Sequence, residues 1–106
     1  MTIGLCRIWF RLPDNHSLKG KRQALRSLID RLRQRFNISV AEVGERDLWQ
    51  MVSLGISCVV PSQRHAHRVI SSVVDFIVRS RLDLELVDYQ VEVIHALEDG
   101  ALPLKG

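Results

Sequence analysis

Four stretches whose apolar residues alternate with period two, and two longer stretches whose apolar residues recur at helical spacing, follow one another in the order strand, helix, strand, strand, helix, strand. Each predicted helix carries a single apolar stripe, so both must cover the same sheet. That order and those stripes predict an α+β fold, the ferredoxin-like βαββαβ arrangement: a four-stranded antiparallel sheet with two helices on one face. Strands one and three are expected to be central and to run parallel. The halves, roughly 3–43 and 51–93, form a structural repeat without obvious sequence identity.

The first strand spans Thr2 to Leu12, with Cys6, Ile8, Phe10 and Leu12 on one face and Ile3, Leu5, Arg7, Trp9 and Arg11 on the other. Pro13, Asp14 and Asn15 end it as turn formers. Ser17 then caps a helix to Phe36 whose stripe is Leu18, Leu25, Leu28, Ile29, Leu32 and Phe36. Gly20 stands where a capping box would place Glu or Gln, which leaves the helix start less firmly pinned. Ile38 to Val43 is a short second strand and Gly44 to Asp47 a polar turn. Leu48 to Val60 is the third strand, with Leu54, Ile56 and Cys58 opposite Trp49, Met51, Ser53, Gly55 and Ser57. Pro61 and Ser62 start the second helix, which buries Ala66, Val69, Ile70, Val73 and Ile77 and turns Arg64, Arg68, Asp75 and Arg79 to water. The fourth strand, Leu84 to Ile94, offers Val87, Tyr89, Val91 and Val93 to the core opposite Asp88, Gln90 and Glu92. Residues 1–97 make one predicted domain, and 98–106, with Gly100, Pro103 and no period, a loosely ordered tail.

A chain of 106 residues, 46% hydrophobic and 25% charged, can bury a core without staples, which argues against disorder. No apolar run is long enough to span a bilayer, and Arg7 and Arg11 break the N-terminal stretch as a signal-peptide core, so a cytoplasmic protein is expected. Cys6 and Cys58 lie far apart without metal or redox spacing and are expected to be reduced and buried, a disulfide being the alternative.

Charge is distributed unevenly. The first helix holds Lys19, Lys21, Arg22, Arg26, Arg31, Arg33 and Arg35 against the single acid Asp30, a net +6, whereas the remaining residues sum to −3 and the whole chain to +3. A solvent-facing helix more often interleaves Glu with its basic residues.

The runs His16-Ser17-Leu18-Lys19-Gly20-Lys21-Arg22, Phe36-Asn37-Ile38-Ser39-Val40-Ala41-Glu42-Val43 and Asp47-Leu48-Trp49-Gln50 closely resemble the YlxP-like family, small bacterial proteins grouped as a domain of unknown function. The likeness covers positions 3 to about 93, departs from the usual marker at Gly20, and implies a ferredoxin-like fold. It carries no established activity. It does imply a gene neighbourhood with translation initiation factor 2 and ribosome-binding factor A, which points toward RNA or the ribosome.

Candidate sites follow from charge and pattern. Lys19, Arg22, Arg26 and Arg33 gather beside the apolar stripe and could meet successive phosphates of a nucleic acid, provided that carboxylates from the strands or a neighbouring subunit do not neutralise them. Otherwise they are a solvated edge whose stems cover the core rim. At the helix entrance His16, Ser17, Lys19 and Lys21 could surround a small anion, although no phosphate-binding loop motif is present. Leu5, Trp9, Trp49 and Met51 on the uncovered sheet face suggest a homodimer interface or a base-stacking platform, with Asp88 and Glu92 able to pair with Arg7 and Arg11. His65 and His67, two apart on a helix, diverge, and His95 is isolated, so neither metal nor cofactor is expected. The loop after the first strand lacks the glycine-rich, arginine-bearing cradle of acylphosphatases, which share the topology, and no catalytic set is identified.

Three functions fit these residues. The first is a non-enzymatic RNA- or ribosome-associated protein using the basic face of helix 17–36. The second is a homo-oligomeric interaction scaffold using the open sheet. The third is an enzyme acting on a small phosphorylated compound at the helix entrance.

Overall fold

The computed structural model describes residues 1–13, 17–44, 51–80 and 84–97. Within them the elements are β1 (Thr2–Arg11), α1 (Leu18–Arg35), β2 (Ser39–Glu42), β3 (Met51–Val60), α2 (Gln63–Ser80) and β4 (Glu85–His95). They form one four-stranded sheet in the order β2-β3-β1-β4 with every neighbouring pair antiparallel, which is the ferredoxin-like arrangement. The central strands β1 and β3 therefore run antiparallel, not parallel as expected. The α1 crossover brings the chain back to start β2 in the direction of β1, and β3 inserts between those two and opposes both.

Both helices are capped by a side chain. The Gly20 N–H donates to Ser17 Oγ at 3.0 Å, and the His65 N–H donates to Ser62 Oγ at 3.2 Å. The third helical residue supplies only a backbone N–H to its cap, so Gly20 does not prevent it. The inward row of β1 (Cys6, Ile8, Phe10, Leu12) meets Val52, Leu54 and Ile56 of β3 beneath Leu25, Leu28 and Leu32 of α1 and Ile70, Val73 and Ile77 of α2. Val69 is half-buried at the margin, and Arg79 pairs with Asp75 one turn back at 3.0 Å.

Two faces differ from expectation. In α1 the fully buried stripe is Lys21, Leu25, Leu28 and Leu32, while Leu18, Ile29 and Phe36 are only half-buried. In β4 the register against β1 shifts, Trp9 facing Asp88 but Phe10 facing Leu86, so Val87 has no partner across the ladder and Leu86 takes the inward place assigned to it. The inward residues of β4 also stay open to solvent, Tyr89 at 47% and Val91 at 38%, because the strand is an edge and the helices cover it only in part. The proposed tail, 98–106, lies outside the described residues.

Cys6 and Cys58 are both free thiols in the core. Burial pushes the Cys6 thiol up to about 11 from an ordinary 9.0. The unfolded chain then ionises first, so stability is fully present below pH 9 and falls as pH rises toward 11, by up to about 2 kcal/mol. Urea titrations at pH 8 and pH 10.5 should show this decline, and Cys6→Ala should flatten it. A decline unaffected by that substitution would assign the pH dependence elsewhere.

Candidate nucleic-acid interface on α1

Helical geometry sets Lys19, Arg22, Arg26 and Arg33 within an arc of about 60°, beside the buried stripe and along about 21 Å of axis. All four are exposed. Among the described residues no carboxylate forms an ion pair with Lys19, Arg22 or Arg26. Arg33 is engaged differently: its Nη2 donates to the Val40 carbonyl at 2.9 Å, which ties the end of α1 to β2. Arg31 and Arg35 fall on the other side of the stripe, and the Arg35 guanidinium lies 5.3 Å from the centre of the Phe76 ring on α2. The basic helix thus divides into a ridge of three cations without carboxylate partners among the described residues, one cation bound to the backbone, and Arg35 laid against Phe76 of α2.

Lys21 belongs to none of these. Its side chain occupies the core stripe at 1% exposure, and Nζ stands 3.0 Å from Glu42 Oε2 on β2. Burying an ammonium is costly unless a carboxylate accompanies it, and Glu42 is that partner. The pair joins two of the segments that carry the family resemblance. Of the residues assigned to a helix-entrance anion site, Ser17 caps the helix, Lys19 is exposed, Lys21 is turned inward to Glu42, and His16 lies outside the described residues.

The outer sheet face carries Leu5, Trp9 and Met51, each half-buried, while Trp49 lies outside the described residues. Arg7 is held flat across this face. Its Nε donates to Ser53 Oγ at 2.8 Å and its guanidinium lies 4.8 Å from the centre of the Trp9 ring. Gly44, at φ 85°, clears the path, since a Cβ there would sit 2.8 Å from an Arg7 nitrogen. Arg7 is therefore not paired with Asp88 or Glu92, and Arg11 instead reaches Glu85 at 3.5 Å. The expected cross-strand pairs give way because Ser53 and Trp9 hold Arg7 toward β3, away from β4. Leu5, Arg7, Ala41, Gly55, Ser57 and Glu92 line a shallow trough of about 810 Å³ across the same face.

His65 is half-buried and His67 exposed on α2, and the described residues contain no cluster of three His, Cys, Asp or Glu that could hold a metal ion. No described helix is long and apolar enough to cross a membrane.

Comparison with known proteins decides the family. The model for DUF503, a protein family of unknown function, matches residues 3–91. The chain belongs to this family. The uncharacterised protein YlxP of Bacillus subtilis (strain 168) is similar to it, 38% identical over 75 residues that cover 71% of this chain and 82% of that protein. Among solved structures the de novo designed protein Foldit4 is similar in fold, with a TM-score of 0.51 and 8% identity, covering 90% of this chain and 98% of the design. That second likeness concerns the fold alone.

Glu42 and Ser53 are the two polar residues at this site that sequence reasoning did not assign. Lys21 did carry a readable signal, since it precedes Leu25 by four residues and Leu28 by seven, inside the apolar period. A lysine at a stripe position calls for a carboxylate from the packed strand. Ser53 had no such signal.

Proposed function

We propose that this protein is a non-enzymatic RNA-binding protein that docks structured RNA, ribosomal RNA being the favoured class, along the α1 ridge. The observation that carries this reading is the row formed by Lys19, Arg22 and Arg26, exposed and without carboxylate partners among the described residues. Three fixed cations on one rigid helix can neutralise neighbouring phosphates and release their counterions, which makes affinity fall steeply with salt. The gene neighbourhood implied by the family resemblance supports the same partner.

Gel-shift titrations with structured RNA test it. Arg22→Glu together with Arg26→Glu should weaken binding by about 10- to 100-fold and flatten the slope of log affinity against log salt by roughly 1.5 to 2. Both positions are exposed, so the melting temperature should hardly move. Binding that survives the double reversal unchanged would remove α1 from the interface. Capture of a protein partner that persists after nuclease treatment would favour the scaffold instead.

A further inference from the structure

The sheet ends in two edges that are protected to different degrees. Backbone bonds fix which groups face outward. Met1 and Ala96 exchange both N–H and C=O at 2.8 and 2.9 Å, and the antiparallel ladder alternates from there. Ile94, Glu92, Gln90 and Asp88 therefore bond inward to β1, while Val93, Val91 and Tyr89 direct their N–H and C=O groups away from the sheet. On the opposite edge the Val43 N–H bonds the Ser53 carbonyl at 2.7 Å, so the alternation turns the Val40 carbonyl outward. That carbonyl is taken by Arg33, and β2 has only four residues.

The β4 edge is blunted at one end only. The unmatched Val87 bends the strand, and the outward Tyr89 N–H is taken by Asp88 Oδ1 at 2.8 Å. Beyond it Val91 and Val93 keep outward groups on a strand of eleven residues. Beside them Leu86, Tyr89 and Val91 are apolar, inward-facing and 38–47% exposed. A long edge with apolar residues on one face invites strand addition.

We propose that this edge receives a second copy of the chain, β4 against β4 in antiparallel register about a two-fold axis through Val91, joining two sheets into one of eight strands. The strand's own sequence is what selects the occupant. In this register Val91 meets its counterpart and exchanges two backbone hydrogen bonds with it. The Tyr89 carbonyl, left open by the Asp88 cap, accepts the Val93 N–H of the other copy. On the helix side Tyr89 stacks against Val93, an aromatic and β-branched pair. On the outer side Gln90 faces Glu92, so no two carboxylates stand directly opposite, and an amide can donate to each carboxylate. Moving the axis one step, to Gln90, would set Asp88 opposite Glu92 in both halves and turn the bonding groups of both strands apart. The interface lies at the edge of the sheet farthest from β2, so it leaves the α1 ridge open and stands independently of the RNA reading.

Sedimentation equilibrium on the full chain from about 1 to 100 µM, with backbone amide exchange, tests the proposal. The wild type should dimerise, and the Val91 and Val93 amides should exchange more slowly as concentration rises. Val91→Pro removes an outward N–H without removing a bond to β1, and should weaken association at least about tenfold. Val91→Lys places two ammonium groups at the axis on a side chain already partly exposed, and should do the same; circular dichroism melts verify that both variants fold. A chain monomeric across this range overturns the proposal. So does a dimer that survives both substitutions, or one that Trp9→Glu on the outer face dissolves instead.

Discussion

Replacing Lys21 by Met should destabilise the protein by about 3 kcal/mol, although the apolar volume at that position is nearly preserved. Lys21 is 1% exposed, and its ammonium stands 3.0 Å from Glu42 Oε2. Removing the cation takes from a mostly buried carboxylate its charge partner at 3.0 Å, which water can only partly replace. The Glu42 side chain retains 16% exposure, which holds the loss near the lower end of the range for broken buried pairs. Adding Glu42→Leu should recover most of the loss, because a pair of packed apolar residues avoids both desolvation costs. Urea unfolding of the wild type, both single variants and the double variant gives the coupling energy directly. A Lys21→Met variant within about 1 kcal/mol of the wild type would show that the Glu42 carboxylate does not depend on Lys21, and the account of the pair as a core contact would fail.

Gly4 is the second sensitive position. It lies on the inward row of β1 where α2 comes closest. A Cβ there would stand 2.9 Å from Cys58 Sγ, 3.0 Å from Ile70 Cδ1 and 3.2 Å from Ala66 Cβ. The Ile70 terminus can rotate away, but the Ala66 Cβ moves only with the helix backbone. Gly4→Ala should therefore cost about 1–2 kcal/mol and Gly4→Val about 3, through overpacking and not through backbone conformation. For a domain of this size that predicts melting temperatures lower by several degrees for Ala and by roughly 12–20 °C for Val. Combining Gly4→Ala with Ile70→Val, which deletes the crowding methyl, should cost less than the sum of the two changes. Strict additivity would place the strain elsewhere.

Much of the architecture was legible because period two and helical period alternate clearly in this chain, and because Ser17 and Ser62 mark helix starts by chemistry rather than by composition. The direction of β3 relative to β1 differs from expectation, since periodicity states which face a residue takes but not which way a strand runs. The inward row of β4 departs from expectation by one step on the N-terminal side of Tyr89. A bulge leaves no mark in hydrophobic alternation when the residues around it, Leu86 and Val87, are both apolar. At the candidate interface Lys19, Arg22 and Arg26 could be grouped from spacing alone. The separate engagements of Arg33, Arg35 and Lys21 depend on Val40, Phe76 and Glu42, which lie on other elements and are brought close only by the fold.

Arg33 stands in two roles at once. It extends the cationic row, yet its guanidinium also stops the exposed carbonyl of β2. A polyanion that drew Arg33 to itself would reopen that carbonyl to other chains. Ligand occupancy at the far end of the helix and resistance to unwanted strand exchange at β2 would therefore compete for one side chain. Selection for tighter grip would act with least penalty on the three cations upstream.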